Sequence, residues 1–231
     1  MLMKKNLFTS LIAFIMCLAS CSFVSKDFDT SDKDSLVIQL ITYVLDQAHY
    51  LDKEIDDNFS EKVFNTFLEN LDPYKRYFYA SDIEEFSEYK YSIDDAFKNP
   101  NFDFFDLVYE RFKVRIYESE KIFNKILSTP FDFSKDEVCE CDFEVLDYVQ
   151  TNHELYDRWR KLLKIYVIEN YHNEIEDDLR KFEKDSLFQI RNLDLIEKET
   201  RESLSETMIQ NYRFVSEEMQ RSDWLSVYIN S

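Results

Sequence analysis

The side chains in this 231-residue sequence whose types and spacing could do chemistry are Cys139 and Cys141, the pair His172/Glu176, and the run Glu176-Asp177-Asp178. A C-x-C pair can ligate a metal, but a closed zinc site needs four ligands and no second Cys/His pair stands at ligand spacing. A disulfide between residues two apart would be strained. The two thiols therefore read as spare groups in an exposed loop. His172 and Glu176 are spaced to share a helix face, yet the H-E-x-x-H pattern is missing and His153 lies far away along the chain. They read as a surface histidine beside acids. His49, next to Tyr50 on an apolar stripe, reads as a packed side chain, and Glu176-Asp177-Asp178 as a solvated helix face. Serines and lysines are plentiful, but a catalytic Ser/Lys pair needs a desolvated lysine and oxyanion donors, and nothing in the sequence picks one out. The residues thus nominate no catalytic group, no metal site and no cofactor.

Composition points the same way. The sequence has no glycine, where about 16 would be usual at ~7%. Phosphate loops, dinucleotide turns and nucleophile elbows depend on glycine, whereas helix interiors gain nothing from it. With 45% hydrophobic residues, 21 Phe and 15 Tyr, the chain is rich enough in apolar side chains to build a core. Its formal net charge of −19 argues against nucleic acid and anionic lipid surfaces. It suits basic protein partners, or simply solubility.

The N-terminus is built like an address. Lys4 and Lys5 precede an apolar core, Leu7 to Leu18, too short to span a bilayer well. Leu18-Ala19-Ser20-Cys21 then resembles a bacterial lipobox, in which cleavage precedes a cysteine whose thiol is acylated. The alternative is an ordinary cleaved signal with an incidental cysteine. The expectation is a lipoprotein signal peptide over 1–20 and an acidic tether over 21–33. Cys21 would be the lipidated residue, anchoring the chain by several acyl chains because one alone is marginal. Ser22 after the cysteine, by analogy with lipoprotein sorting in enteric bacteria, favours the outer membrane, facing the periplasm.

The remaining residues, 34–231, must position whatever the chain does, and the pattern over most of them is helical. Leu36, Val37, Leu40, Ile41, Val44, Leu45 and Ala48 recur at three and four; Leu40→Asp is expected to destabilise strongly. A second helix starts near Asn58 and ends at Asp72-Pro73. The segment Tyr74–Ala80 is aromatic, basic and irregular. Tyr77, Phe78 and Tyr79 read as a packed corner. The alternative is an aromatic ledge for unfolded polypeptide, with Tyr74, Tyr77 and Tyr79 as candidate partner or substrate contacts. Ser81-Asp82-Ile83-Glu84 reads as a capping box opening a third helix through Phe97. A fourth runs from about Phe102 to Leu127 and stops at Ser128-Thr129-Pro130. Phe131–Val149 has no helical period. Thr151-Asn152-His153-Glu154 caps a fifth helix reaching to Lys184, Glu197–Gln220 forms another, and Ser222-Asp223 opens a last one in which the chain stops. That ending suggests a cut product or an interrupted gene. The expected fold is an all-α, irregular array of about six or seven amphipathic helices.

Several pieces carry a resemblance. His49-Tyr50, the run Leu71-Asp72-Pro73-Tyr74-Lys75-Arg76-Tyr77-Phe78, Ser81-Asp82-Ile83-Glu84-Glu85-Phe86, Pro130-Phe131-Asp132-Phe133 and Trp159-Arg160-Lys161 follow one another in order. From about Asp34 onward the chain resembles the N-terminal helical domain of tail-specific proteases, carboxy-terminal processing enzymes of the bacterial periplasm. The resemblance implies a helical wall around a substrate path and contacts with adaptor proteins. In that family a PDZ domain and a serine–lysine protease domain follow. No position here matches their carboxylate-binding loop, nucleophile or lysine. Cys139 and Cys141 depart from the family, as does the lipid anchor from its soluble members. The implied role is a non-catalytic, lipid-anchored domain whose partners are proteins or unfolded polypeptides. The alternative is a free-standing adaptor lipoprotein reusing the domain.

Overall fold

The computed structural model describes residues 36, 37, 40, 43, 55–98, 101–143 and 145–231. The expected leader, the tether and Cys21 lie outside the described residues, as does His49. Among the described residues the fold is all-α, with seven α-helices and no strand. They are α1 (Asp57–Leu71), α2 (Ala80–Phe86), α3 (Ile93–Lys98), α4 (Asp103–Leu127), α5 (Asn152–Lys184), α6 (Leu193–Arg213) and α7 (Arg221–Ile229).

Each long helix has a local reason to begin. Asp56 caps α1 by accepting from Phe59 N at 3.0 Å, two residues before the start read from Asn58. Thr151 and Glu154 form the expected capping box of α5: Thr151 Oγ1 accepts from Glu154 N, and Glu154 Oε2 accepts from Thr151 N. The α4 pattern buries Phe104, Phe105, Val108, Phe112, Ile116, Phe123, Ile126 and Leu127 along one face. Its last turn closes on Ser128 before Pro130. Asn192 caps α6 from Asp194 N, so that helix starts four residues earlier than its apolar pattern suggests.

Three other expectations need correction. The single helix read through Phe97 is split: a 3-10 turn at Ser87–Tyr89 separates α2 from α3. A long-range bond competes with helix continuation here, since Ser60 Oγ on α1 accepts from Asp94 N and donates to Asp94 Oδ1, both at 2.8 Å. α6 ends at Arg213 and passes into a π-helical turn, Phe214–Glu218. α7 spans Arg221–Ile229, opening beside Ser222-Asp223 as expected. Leu36, Val37, Leu40 and Tyr43 are helical as expected, but Leu40 is 62% exposed. Leu40→Asp is therefore no test of a buried face. Periodicity defines a stripe; whether anything covers it is a tertiary matter.

Two apolar clusters hold the array together. One joins α1, α2, α3, the first half of α4 and α7. Phe67 is its centre: fully buried, it meets Tyr228 at 5.0 Å, Phe104 at 5.9 Å and Phe105 at 6.2 Å between ring centres. The other joins the end of α4, Val149, the N-terminal half of α5 and Met208 of α6. Tyr77 and Tyr212 touch both clusters. Removing a fully buried aromatic ring costs about 3–5 kcal/mol. Phe67→Ala is thus expected to lower the denaturation midpoint at unchanged m-value. An unshifted midpoint would place the core elsewhere.

Candidate functional site

Chemistry-bearing side chains converge where α1 turns towards α2. Pro73 disfavours helix at Asp72, so α1 stops and Asp72 takes φ −136° and ψ 63°. Its side chain turns inward, with 1% exposure. There Oδ1 accepts from Arg76 N at 2.8 Å, while Oδ2 accepts from Tyr77 N and Phe78 N at 2.9 Å each. One carboxylate thereby satisfies three backbone donors that no helix or sheet supplies. Burial pushes the Asp72 carboxyl upward; the three N–H donors and the Arg76 charge pull it down, and the balance lies above the usual range. Lys75 carries the strain of the turn at φ 45°, rare for a residue with a Cβ.

The start of α5 and the chain leading into it lock onto this corner. Arg158 donates to Lys75 O at 2.6 Å and to Asp147 O at 2.8 Å. Trp159 Nε1 donates to Arg76 O at 2.7 Å, and Lys75 Nζ donates to Leu146 O. Ala80 N meets Val149 O at 2.8 Å, beside an isolated parallel bridge between Tyr79 and Val149. Arg160 grips Glu137 through both oxygens, at 2.9 and 2.7 Å, and Lys164 joins it at 2.8 Å. Phe131 N donates to Glu197 Oε1, whose partner Arg201 reaches Leu127 O. The irregular connection 131–149 is thus tied at both ends.

Asp82 opens α2 differently from the capping box read at Ser81. The cap position is Tyr79, whose backbone N–H donates to Asp82 Oδ2 at 2.9 Å. Arg111 and Arg115 of α4 bind the same carboxylate. Burial would raise Asp82, but the hydrogen bonds from Arg115, Tyr79 N and Arg111 hold it below the usual carboxylate range.

The three tyrosines singled out in the sequence all reach this corner. Tyr79 is buried, with its hydroxyl on Asn152 Oδ1 at 2.9 Å and Arg115 stacked 4.3 Å over its ring. Tyr77 is partly exposed and packs edge-on to Phe112 and Trp159. Tyr74, also partly exposed, meets Phe143 at 4.9 Å. What sequence reading missed is Arg76, whose guanidinium carbon lies 4.7 Å over Trp159, 5.0 Å over Tyr74 and 5.2 Å over Tyr77. The available sign was a basic pair inside an aromatic run in a chain with 47 acidic residues.

Other sequence candidates lie elsewhere. Cys139 is half-buried and Cys141 exposed, both as free thiols. Cys139 borders a groove of about 640 Å³ between the connection and α5, with Leu146, Arg158 and Lys161. His172 pairs with Glu176 at 3.2 Å on an open surface. The solvated face expected of Glu176-Asp177-Asp178 is corrected at Asp178, which is fully buried. Arg191, from the loop after α5, folds back on it through its backbone N–H and its guanidinium. The side-chain and backbone bonds from Arg191 hold Asp178 down at about 2. Among the described residues, no cluster of His, Cys, Asp and Glu is arranged to hold a metal ion, and no helix is long and apolar enough to cross a membrane.

The corner, Asp72 to Phe78, and Trp159 are among the residues that carried the family resemblance, and the family profile described as Tail specific protease N-terminal domain matches residues 41–231. The chain belongs to that family. It is similar to the tail-specific protease of Haemophilus influenzae (strain ATCC 51907 / DSM 11121 / KW20 / Rd), 27% identical over 139 residues, which is 60% of this chain and 20% of that protein. The match spans about a fifth of the relative's length. In this tail-specific protease N-terminal domain, Asp72, Arg158 and Trp159 are joints of the scaffold.

Truncating a buried acceptor leaves its donors unsatisfied at about 1–3 kcal/mol each. Asp72→Ala is expected to unfold the corner, with a loss of about 3–5 kcal/mol by analogy with broken buried ion pairs. Denaturant melts would check this, and a change under 1 kcal/mol would reject the role assigned to Asp72. The depressed carboxylates set the acid response. Asp82, Glu137 and Asp178 all lie below their ordinary values. Their stabilisation is present above the unfolded-state pKa and is lost as pH falls through the folded one. Stability should therefore fall from about pH 4 towards pH 2. Asp72, shifted the other way, opposes this loss. Replacing Asp178 by Asn should flatten the decline, as read by thermal melts across that range.

Proposed function

We propose that this chain is the helical, non-catalytic part of a tail-specific protease system of the bacterial envelope, held to the membrane through acylated Cys21. Its role is to enclose a polypeptide substrate or to dock a protein partner. The observation that carries the reading is the family match over 41–231. Supporting it, the polar groups of the corner are engaged in structure: Asp72 in backbone bonds, Arg158 and Trp159 on carbonyls. Partly exposed Tyr74 and Tyr77, rather than buried Tyr79, are the members of the tyrosine set able to meet a visitor. The formal charge of −19, which becomes −21 when Lys4 and Lys5 leave with a cleaved leader, favours basic or unfolded polypeptides over nucleic acid.

Two measurements test the two halves of this proposal. In cells fed a clickable palmitate analogue, the chain should take up label and partition with membranes, and Cys21→Ser should abolish both. Label retained by the variant would reject Cys21 as the anchor. A photo-crosslinking residue at Tyr74 should yield adducts with unfolded polypeptide or an envelope protein, whereas the same residue at exposed Glu206, on α6, should not. Equal adducts at both positions would reject the corner as the contact.

A further inference from the structure

Two nucleophilic sulfurs, Cys139 and Cys141, lie in the irregular connection between α4 and α5, and that connection is fixed on either side of them. Glu137, two residues before Cys139, is held by Arg160 and Lys164. Beyond the pair, the carbonyls of Leu146 and Asp147 are held by Lys75 and Arg158. Between these ties, residues 138–142 form neither helix nor strand. Glu140 Oε1 accepts from Asp142 N at 2.9 Å, and the Cys141 sulfur folds back to 3.7 Å from Cys139 O. The Cys141 thiol also reaches the Cys139 thiol, and both are free.

The two sulfurs differ in surroundings. Cys141 is exposed, whereas Cys139 is half-buried at the edge of the groove of about 640 Å³ that runs along α5. Burial pushes the Cys139 thiol up and the neighbouring Cys141 thiol adds to this, while Lys161 pulls it down. In thiol–disulfide exchange the thiolate attacks, and access decides which sulfur meets the reagent. Exposed Cys141 is placed to attack first and Cys139 to follow. A bridge between residues two apart is strained and therefore readily reduced. Strain that counts against a lasting staple suits a bond that must open again. Phe143, Val145 and Leu146 give the groove beside Cys139 an apolar wall, with room for the residues that flank a disulfide in a peptide.

We infer that Cys139 and Cys141 form a thiol–disulfide exchange site for the disulfide of another molecule, with Cys141 as the attacking sulfur and Cys139 as the resolving one. The Cys141 thiolate attacks a disulfide R–S–S–R. A bond forms between Cys141 and one R–S group, and the other leaves as a thiolate that takes up the proton Cys141 gave off. The Cys139 thiolate then attacks the Cys141 sulfur. The mixed disulfide breaks, the second R–S group leaves and is protonated in turn, and the internal bridge remains. The two cysteines lose two electrons and the incoming disulfide gains them. A small thiol's disulfide and a polypeptide's share this chemistry. The inference requires neither the protease reading nor the membrane anchor.

Exchange is followed on the full chain carrying Cys17→Ser and Cys21→Ser, which leaves Cys139 and Cys141 as its cysteines. Two probes are used, oxidised glutathione and the disulfide-linked dimer of N-acetyl-Leu-Cys-Ala amide, and products are read by intact mass. With at least one probe the expected end state is an internal bridge with two thiols released per chain, and added reduced thiol should restore both cysteines. The probe that reacts faster identifies the source of the disulfide. Cys139→Ser should stop at a mixed disulfide on Cys141 with one thiol released. Cys141→Ser should react at least about tenfold more slowly, because the sulfur that remains is half-buried. Both substitutions should leave the thermal melt unchanged, since the pair lies outside the two apolar clusters. Two mixed disulfides without an internal bridge, equal rates in the two single variants, or no reaction with either probe would overturn the proposal.

Discussion

One buried carboxylate decides the shape of this domain. A chain leaving a helix and reversing direction over six residues must find acceptors for its backbone N–H groups, and Asp72 supplies them from the position where the helix stops. Pro73 enforces the stop, Lys75 absorbs the twist at positive φ, and the carbonyls of Lys75 and Arg76 are left pointing at α5. Arg158 and Trp159 take those carbonyls. The corner is therefore both the end of one subcluster and the seat of the other. Tyr77, which touches both clusters, sits between two of the N–H donors that Asp72 holds.

The same economy runs through the charges. In a chain with 47 acidic and 28 basic residues, the cations are used as ties between segments distant in sequence. Arg111 and Arg115 pin the start of α2 to α4, Arg191 pins the loop after α5 back onto Asp178, and Arg160 pins the irregular connection through Glu137. Such partly buried pairs add specificity of arrangement more than net stability, because desolvation offsets much of their attraction. Where they stand they define which segment lies against which, a task the apolar clusters alone leave open.

Sequence made the helices legible and the joints much less so. The apolar spacing of α4, the proline stops and the Thr151 box rest on interactions within a few residues, and these were readable. The break between α2 and α3 was not, because its cause is Ser60, 34 residues from Asp94. Asp178 read as part of a solvated acidic face because its partner Arg191 comes from beyond the helix end. The exposed Leu40 shows the reverse error: periodicity tells which residues share a face but not whether that face is covered. The Leu-Asp-Pro run was visible as a motif, and the tyrosines after it were marked as a packed corner. The cage around Arg76 required coordinates, since it depends on Trp159 of α5, some 80 residues later.

The lack of glycine becomes intelligible on these terms. Helices commonly end on a left-handed residue, usually glycine, that satisfies the final carbonyls. Here Ser128 stays right-handed after α4, while Asp72 and Asp185 leave α1 and α5 at negative φ. Among the described residues only Lys75 has positive φ, and the peptide that follows it is held at both ends, Arg76 N on the Asp72 carboxylate and Lys75 O by Arg158. Side chains do the work that backbone freedom does elsewhere. Among the described residues the turns at Asp72 and Asp178 are braced by buried acids. On that frame the side chains of the corner hold one another: the Arg76 cation lies over Trp159, Tyr74 and Tyr77, and Arg158 is on the carbonyls of Lys75 and Asp147.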